Sequence, residues 1–203
     1  KKKAEKKTEA CENKKRMKNF LIIIYIIFLL QIIDAKIWTR KYLDDEIATD
    51  YSAHCLDGST PGYYYNLNST STQWMIFMQG GGWCMNIQNC YDRSLTNLGS
   101  STWYPSSYDD TVASTPIPID EQQSIQNRDC TINPAFCHFN FIYVPYCDGT
   151  SYTGMLNEPV SYNNTLLYFR GKENLNALFK DMILNTPFGT ASSELLFSGC
   201  SAG

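Results

Sequence analysis

The 203-residue sequence contains only two histidines and no Cys-x-x-Cys pair. Structural zinc sites are built mainly from cysteine pairs at that spacing together with histidines, so the sequence gives no indication of a bound metal. It also shows no internal repeat and no sign of a second domain. We therefore expect one domain that works without a metal or an organic cofactor.

Basic residues are scarce in the greater part of the chain. Nine of the 17 lysines and arginines lie at or before Lys18, and we interpret the Lys-rich residues 1–16 as a disordered leader. From Lys36 onward, acidic residues outnumber basic ones two to one. An acidic surface does not attract nucleic acid, anionic lipid or a strongly anionic polymer. We therefore expect no nucleic-acid partner, and a neutral or sparsely charged substrate fits better.

The sequence has no apolar run of the roughly 20 residues needed to cross a bilayer. Its longest run, Phe20–Ile33, follows a basic flank at Met17-Lys18-Asn19, and Ala35 offers a cleavage point. This pattern is typical of a signal peptide over residues 17–35. The alternative is an uncleaved signal anchor formed by residues 20–33, which would be the chain's only association with a membrane. Either interpretation places the rest of the chain outside the cell, secreted or membrane-anchored.

Cysteines and glycosylation sequons agree with export. The sequons begin at Asn68 and Asn163. The cysteines after Lys36 are seven in number: Cys55, Cys84, Cys90, Cys130, Cys137, Cys147 and Cys200. In an exported chain this density predicts disulfides, and the odd count leaves one thiol over. We expect Cys200 to be that thiol, packed as a small side chain behind Ser201.

The last five residues, 199–203, form a Gly-x-Ser-x-Gly pentapeptide directly after the apolar run Leu195-Leu196-Phe197. A strand that enters such a tight turn can hold the serine in a strained conformation with its hydroxyl exposed, and the glycines leave room for a close strand-to-helix crossing. The pattern is typical of serine hydrolases and makes Ser201 the candidate nucleophile. Taken alone, the pentapeptide is also compatible with an ordinary Gly/Ser-rich loop.

A second glycine motif favours the catalytic interpretation. Gly80-Gly81-Gly82 follows the apolar run Trp74–Met78, and three successive glycines after a strand leave backbone N–H groups free to point at a ligand. In α/β-hydrolases the oxyanion hole combines an N–H of such a loop with the N–H of the residue after the nucleophile, here Ala202. We therefore predict an oxyanion hole made by Gly81, Gly82 and Ala202.

The order of predicted elements indicates an α/β fold. Phe139–Pro145 is a further apolar strand, and Glu173–Leu184 carries apolar residues at helical spacing before the strand that leads into the pentapeptide. This order predicts a mostly parallel sheet flanked by helices, with antiparallel strands at its start. Tyr63–Leu67 and the strand before the glycines predict a hairpin, and Ser100–Arg128 predicts a long polar surface loop, with a substrate-facing lid as the alternative.

Several separated segments carry a family resemblance. They are Cys55–Tyr63, Gln79–Cys84 with Cys90, Val144–Gly154, Tyr168–Gly171 and Ser198–Gly203. In these segments and in their order, the chain resembles the pectin acetylesterase and Notum family of secreted carboxylesterases. The resemblance extends from Cys55 to the last residue and departs at Gln79, where the family usually has Glu.

The resemblance implies a fold, an activity and a set of disulfides. Residues 36–203 would be the N-terminal part of an α/β-hydrolase-like domain, truncated directly after the nucleophile elbow. The activity would be serine carboxylesterase, removing acetyl groups from polysaccharide, with a Notum-like deacylase of a lipidated protein or a non-catalytic carbohydrate-binding relative as alternatives. The implied disulfides are Cys55–Cys147, Cys84–Cys90 and Cys130–Cys137.

The catalytic acid and histidine are not among the expected site residues of this chain. In the implied fold both follow the serine in the chain, whereas His54 and His138 precede Ser201. We therefore interpret His54 as a loop residue and His138 as a strand-edge residue, and Asp57 and Asp148 as turn residues. We expect the 203 residues by themselves to have little or no activity.

Overall fold

The computed structural model describes residues 16–25, 37–109, 125–191 and 194–203, and the chain divides into two units, residues 1–36 and 37–203. In the first unit, residues 16–25 are helical. The expected leader lies outside the described residues except for its last one, and so does the second half of the expected signal segment. No helix among the described residues is long and apolar enough to cross a membrane. The signal peptide and its anchor alternative stay predictions.

The larger unit is built on a six-stranded sheet. Its strands are β1 (Ile37–Tyr42), β2 (Gly62–Asn66), β3 (Gln73–Met78), β4 (Ser107–Asp109), β5 (Asn140–Val144) and β8 (Glu194–Gly199). A separate hairpin consists of β6 (Val160–Tyr162) and β7 (Thr165–Leu167). The helices are α1 (Asp45–Asp50), α2 (Ile87–Ser94), α3 (Gly171–Asn185) and α4 (Phe188–Ala191), with a 3₁₀ turn at Ser101–Trp103.

The sheet is mixed, with its strands in the spatial order β4-β1-β2-β5-β3-β8. Strand β1 pairs antiparallel with β4 and β2, and β2 pairs antiparallel with β5. Strand β3 pairs parallel with both β5 and β8. The predicted α/β class, with antiparallel strands first and parallel strands leading to the pentapeptide, is confirmed. The expectation that the sheet is mostly parallel is wrong for the described strands, because three of their five pairings in this sheet are antiparallel. Helix α3 contains the helix predicted over residues 173–184.

The predicted hairpin between Tyr63–Leu67 and the following strand is wrong, because β5 lies between β2 and β3. The two strands run antiparallel but are separated by two strand spacings, about 10 Å, which the connecting residues 67–72 span. Strand β5 is buried at every position, so its backbone N–H and C=O groups need hydrogen-bond partners within the protein. Its position between β2 and β3 provides partners on both of its edges.

The stretch Ser100–Arg128, expected to be one polar loop, is more structured than predicted. It contains the 3₁₀ turn and strand β4, which extends the sheet beyond β1. Its middle, residues 110–124, lies outside the described residues, so the choice between lid and surface excursion stays open there.

Apolar core clusters lie on both faces of the middle of the sheet, whereas most of the edge strand β8 is exposed. In β3, Trp74, Ile76 and Met78 belong to one core cluster, whereas Met75 and Phe77 belong to the cluster on the other face. This alternation is what the two-residue period of a strand imposes on a sheet that is covered on both sides. The first cluster packs on helices α1 and α3 through Ile47, Ala177, Leu178 and Met182.

A buried carboxylate fastens α3 to the first strands. Asp181 is fully buried; its Oδ2 accepts a 2.8 Å hydrogen bond from the Tyr63 hydroxyl and its Oδ1 accepts one of 3.2 Å from the Asp44 N–H. Lys41 Nζ lies 3.5 Å from the same Oδ1. Burial, together with the neighbouring Asp181 charge, raises the pKa of Tyr63 well above its usual value, so this phenol stays a hydrogen-bond donor.

We expect Asp181→Ala to lower the free energy of unfolding by about 2–4 kcal/mol, because it leaves the buried Tyr63 hydroxyl without an acceptor. Asp44→Ala, which removes an exposed partner of Lys41, is the matched control and costs less than about 1 kcal/mol. Adding Tyr63→Phe to Asp181→Ala should recover part of the loss. Urea unfolding measures all three; equal losses for the two single variants would contradict the proposed role of the buried carboxylate.

Candidate active site

The two glycine motifs follow strands that end side by side. The register of the parallel pair places Met78 of β3 opposite Gly199 of β8. Gly80 and Ser201 therefore each lie two residues beyond a matched pair, on strands about 4.8 Å apart. This is the edge formed by the carboxyl ends of parallel strands, where open α/β sheets bind their ligands.

The two turns touch backbone to backbone. A Cβ placed on Gly80 would lie 2.2 Å from the carbonyl oxygen of Cys200 and 2.9 Å from the Cβ of Ser201. A Cβ on Gly203 would lie 2.2 Å from the carbonyl oxygen of Met78. The two 2.2 Å distances to carbonyl oxygens are too short for any side chain. The close approach of the turns therefore requires glycine at positions 80 and 203.

Ser201 occupies a strained turn. Its φ is +54°, in the left-handed region that non-glycine residues seldom adopt. The turn is closed by the Gly203 N–H, which donates to the Cys200 carbonyl at 2.8 Å, and the Cys200 N–H donates to the Met78 carbonyl at 3.3 Å. The Ser201 side chain is exposed. Strain of this kind at an exposed serine after a strand matches a nucleophile elbow.

The predicted oxyanion donors are available. The N–H groups of Gly81, Gly82 and Ala202 donate to no acceptor among the described residues. Ala202 is only 8% exposed, and buried backbone N–H groups are almost always paired within the protein. Unused donors beside an exposed serine hydroxyl form an arrangement that can bind a negatively charged oxygen.

Two tyrosines that the sequence analysis did not single out form hydrogen bonds with Gln79, the residue that follows β3. The Tyr152 hydroxyl lies 2.9 Å from the carbonyl oxygen of Gln79 and 3.0 Å from that of Val144, and the Tyr146 N–H donates to Gln79 Oε1 at 2.9 Å. Ser151 and Tyr152 both have positive φ, +54° and +55°, so their turn is strained as well. Gln79 is therefore a buried structural residue. The only sequence signal for these tyrosines was their place in a family-like segment.

Asp148 and Asp57 are turn residues, as predicted. Asp148 accepts hydrogen bonds from the N–H groups of Thr150 and Tyr152, at 3.0 and 3.1 Å, and Asp57 accepts one of 2.9 Å from the N–H of Ser59. Burial raises the pKa of Asp148, and the donated hydrogen bonds offset part of that rise. Both carboxylates are committed to their own loops.

Neither histidine contacts Ser201 in the part of the chain that the structure describes. The His54 ring packs on Tyr168 with 4.7 Å between ring centroids. His138 lies two residues before β5, 3.8 Å from Cys130 Sγ, near the amino ends of the parallel strands and hence at the edge opposite Ser201. Among the described residues the site therefore has an exposed hydroxyl and unused backbone N–H groups, but no histidine beside them.

The three implied disulfides, Cys55–Cys147, Cys84–Cys90 and Cys130–Cys137, are present, and among the cysteines that the structure describes Cys200 is the free thiol, as expected. Its predicted packing behind Ser201 is wrong, because Cys200 is exposed beside the edge strand β8. Cys130, Cys137 and His138 lie close enough together to suggest a metal site, but the disulfide removes both thiolates as ligands.

The two sequons differ in their surroundings. Asn163 is exposed in the turn of the β6–β7 hairpin, where it and Asn164 both have positive φ. The Asn68 amide is engaged, with Nδ2 donating to the His138 carbonyl at 2.9 Å and Oδ1 accepting from Thr70 Oγ1 at 2.7 Å. Glycosylation at either position stays a prediction.

Comparison with known proteins gives consistent matches. A family model described as Pectinacetylesterase matches residues 39–203. Pectin acetylesterase 5 of Arabidopsis thaliana is 36% identical over 159 residues, which are 77% of this chain and 34% of that protein. Palmitoleoyl-protein carboxylesterase NOTUM of Schmidtea mediterranea is 33% identical over 158 residues, 75% of this chain and 26% of that protein.

A solved structure agrees in fold. The structure of the Wnt deacylase Notum from Drosophila superposes with a TM-score of 0.65 at 24% identity, covering 81% of this chain and 43% of that one. The matched segment spans 34–43% of the length of four curated pectin acetylesterases.

We expect Gly80→Ala to displace the pentapeptide turn and to lower the free energy of unfolding by about 2 kcal/mol or more, because its Cβ would overlap the Cys200 carbonyl. Gly82→Ala is the matched control. Its nearest neighbour would be Arg93 Nη2 at 4.0 Å, so the φ of +63° adds only about 1–2 kcal/mol of strain. Thermal unfolding measures both; a smaller loss at position 80 than at position 82 would show that the two turns do not touch.

Proposed function

Because the chain belongs to the pectinacetylesterase family, we propose that it carries the nucleophile and the oxyanion hole of a serine carboxylesterase. The observation that supports this most is the contact between the two turns, with only 2.9 Å from a Cβ on Gly80 to that of Ser201. The unused N–H groups of Gly81, Gly82 and Ala202 belong to the same two turns. One bound acyl group could therefore meet the hydroxyl and the donors together.

In the proposed reaction, Ser201 Oγ forms a bond to the carbonyl carbon of an ester while its proton passes to a general base. The carbonyl electron pair moves onto the oxygen, which becomes an anion held by the N–H groups of Gly81, Gly82 and Ala202. The intermediate then collapses, the bond to the alcohol breaks, and the alcohol takes the proton. Water attacks the resulting acyl-serine in the same way and releases the acid.

We propose that the base and its carboxylate partner come from chain that follows Ser201. In α/β-hydrolases the order is serine, acid, histidine, whereas both histidines of this chain precede Ser201. Two of the pectin acetylesterases are about three times as long as the segment that they share with this chain. Residues 36–203 by themselves would then have little esterase activity.

As substrate we propose an acetylated, neutral or sparsely charged polysaccharide. Four relatives named pectin acetylesterases are 31–36% identical to the chain. The excess of acidic residues after Lys36 favours a substrate of low charge. Deacylation of a lipidated protein is the second candidate, supported by the 33% identity to a palmitoleoyl-protein carboxylesterase. Secretion agrees with the three disulfides.

A fluorophosphonate probe tests the nucleophile. In a full-length protein that carries this chain, we expect the probe to label Ser201 and Ser201→Ala to abolish the label, because the probe needs an activated serine. Ser198→Ala, three residues earlier in β8, is the matched control and should label as the wild type does. Equal labelling of Ser201→Ala and wild type would refute the nucleophile.

A series of p-nitrophenyl esters from acetyl to octanoyl tests the substrate class. For an acetylesterase we expect kcat/KM to be highest for acetate and to fall at least tenfold by octanoate, because a small pocket excludes the longer chain. A site made for a lipid gains up to about 0.8 kcal/mol, roughly fourfold, for each buried methylene and shows the reverse order. Failure of the full-length protein to hydrolyse any ester would support a non-catalytic binding relative.

A further inference from the structure

An arginine contacts the glycine loop from the helix that follows it. Arg93 lies in the last turn of α2, and its Nη1 donates a 2.7 Å hydrogen bond to the carbonyl oxygen of Gly81. Its Nη2 lies 4.0 Å from the place of a Cβ on Gly82. The guanidinium therefore lies against the peptide that joins Gly81 to Gly82.

This contact sets the direction of one proposed oxyanion donor. The peptide is trans, since the described chain contains no cis peptide bond, and a trans peptide points its carbonyl oxygen and its amide hydrogen in opposite directions. With the Gly81 carbonyl turned toward Arg93, the Gly82 N–H points away from it. Glycine imposes little restriction on backbone rotation, so a charge-assisted hydrogen bond is an effective way to hold this peptide plane.

The arginine is itself held against the loop. The Cys84–Cys90 disulfide ties the residues after the glycines to α2, and Cys90 and Arg93 are three residues apart on one face of that helix. The Cys84 N–H also donates to the Gly149 carbonyl at 3.1 Å. Two nitrogens of Arg93 differ: Nη1 donates to the glycine loop, whereas Nε is buried and has no acceptor among the described residues. The hydrogen bond that the structure shows for this side chain is therefore the one to the glycine loop.

We propose that Arg93 is a positioning residue of the oxyanion hole. It holds the Gly81–Gly82 peptide so that the Gly82 N–H stays directed at the reacting oxygen, and its charge polarises that peptide so that the N–H donates more strongly to an anion. Arg93 acts through Gly81 and transfers no proton. The inference rests on the proposed esterase function and extends it to a residue outside both glycine motifs.

Steady-state kinetics of the full-length protein with p-nitrophenyl acetate tests the role. We expect Arg93→Met to lower kcat by about 10- to 100-fold and to leave KM within about twofold, because the oxyanion forms only in the transition state. Arg93→Lys should be intermediate, since one ammonium donor can still reach the Gly81 carbonyl. Lys180→Met, on the exposed side of α3, is the control and should match the wild type.

Chemical rescue separates positioning from a purely structural effect. We expect millimolar guanidinium to restore part of the kcat of Arg93→Ala and to leave the wild type and Lys180→Met unchanged. If the Met and Ala variants do not fold, Arg93→Lys decides: a lower kcat at unchanged melting temperature supports the role. A kcat within twofold of wild type in a folded Arg93 variant, or a loss that appears only in KM, overturns it.

The outcome is distinguishable from failure of the proposed function. Esterase activity that survives Ser201→Ala would refute the proposed nucleophile, whatever the Arg93 variants do, and with it the hole that Arg93 is said to position. Activity that depends on Ser201 but is insensitive to Arg93 would refute only the positioning role.

Discussion

The candidate site depends on direct backbone contact between two turns that leave neighbouring parallel strands. Gly80 and Gly203 approach the facing turn so closely that the atoms of a side chain have no room. The register that pairs Met78 with Gly199 makes this possible, because strands β3 and β8 then end side by side and their turns begin at the same level of the sheet edge. An exposed serine and a loop with unused N–H groups are thereby placed around one point.

The loops around this contact have strained backbone conformations and are restrained by hydrogen bonds and a disulfide. Ser201, Ser151 and Tyr152 all have positive φ, which costs free energy at each non-glycine position. The Tyr152 hydroxyl, the Tyr146 N–H and the Cys84–Cys90 disulfide hold the surrounding loops. Because these restraints come from separate segments, folding of the whole sheet stabilises conformations that none of the segments would keep alone.

The two turns of the candidate site were predictable, whereas the contacts that support them were not. The turns that hold Ser201 and the N–H groups of Gly81, Gly82 and Ala202 follow from short motifs, since a turn after a strand is specified by residues adjacent in the chain. Arg93 and Tyr152 carry no such signal. Arg93 is a single polar residue at the end of a short helix and Tyr152 a single aromatic residue in a turn, and the partner of each on the glycine loop is identified only when the chain is folded.

The sequence by itself determined the local elements: the helix over residues 173–184, the strand before the pentapeptide and the turns with their glycines. These depend on side-chain periodicity and backbone preference within a few residues. Only the tertiary structure decided the order of strands. It placed β5 between β2 and β3, against the expected hairpin, and aligned β3 with β8. Strand order depends on which distant segments can bury both faces and pair both edges of β5, a condition that no local pattern contains.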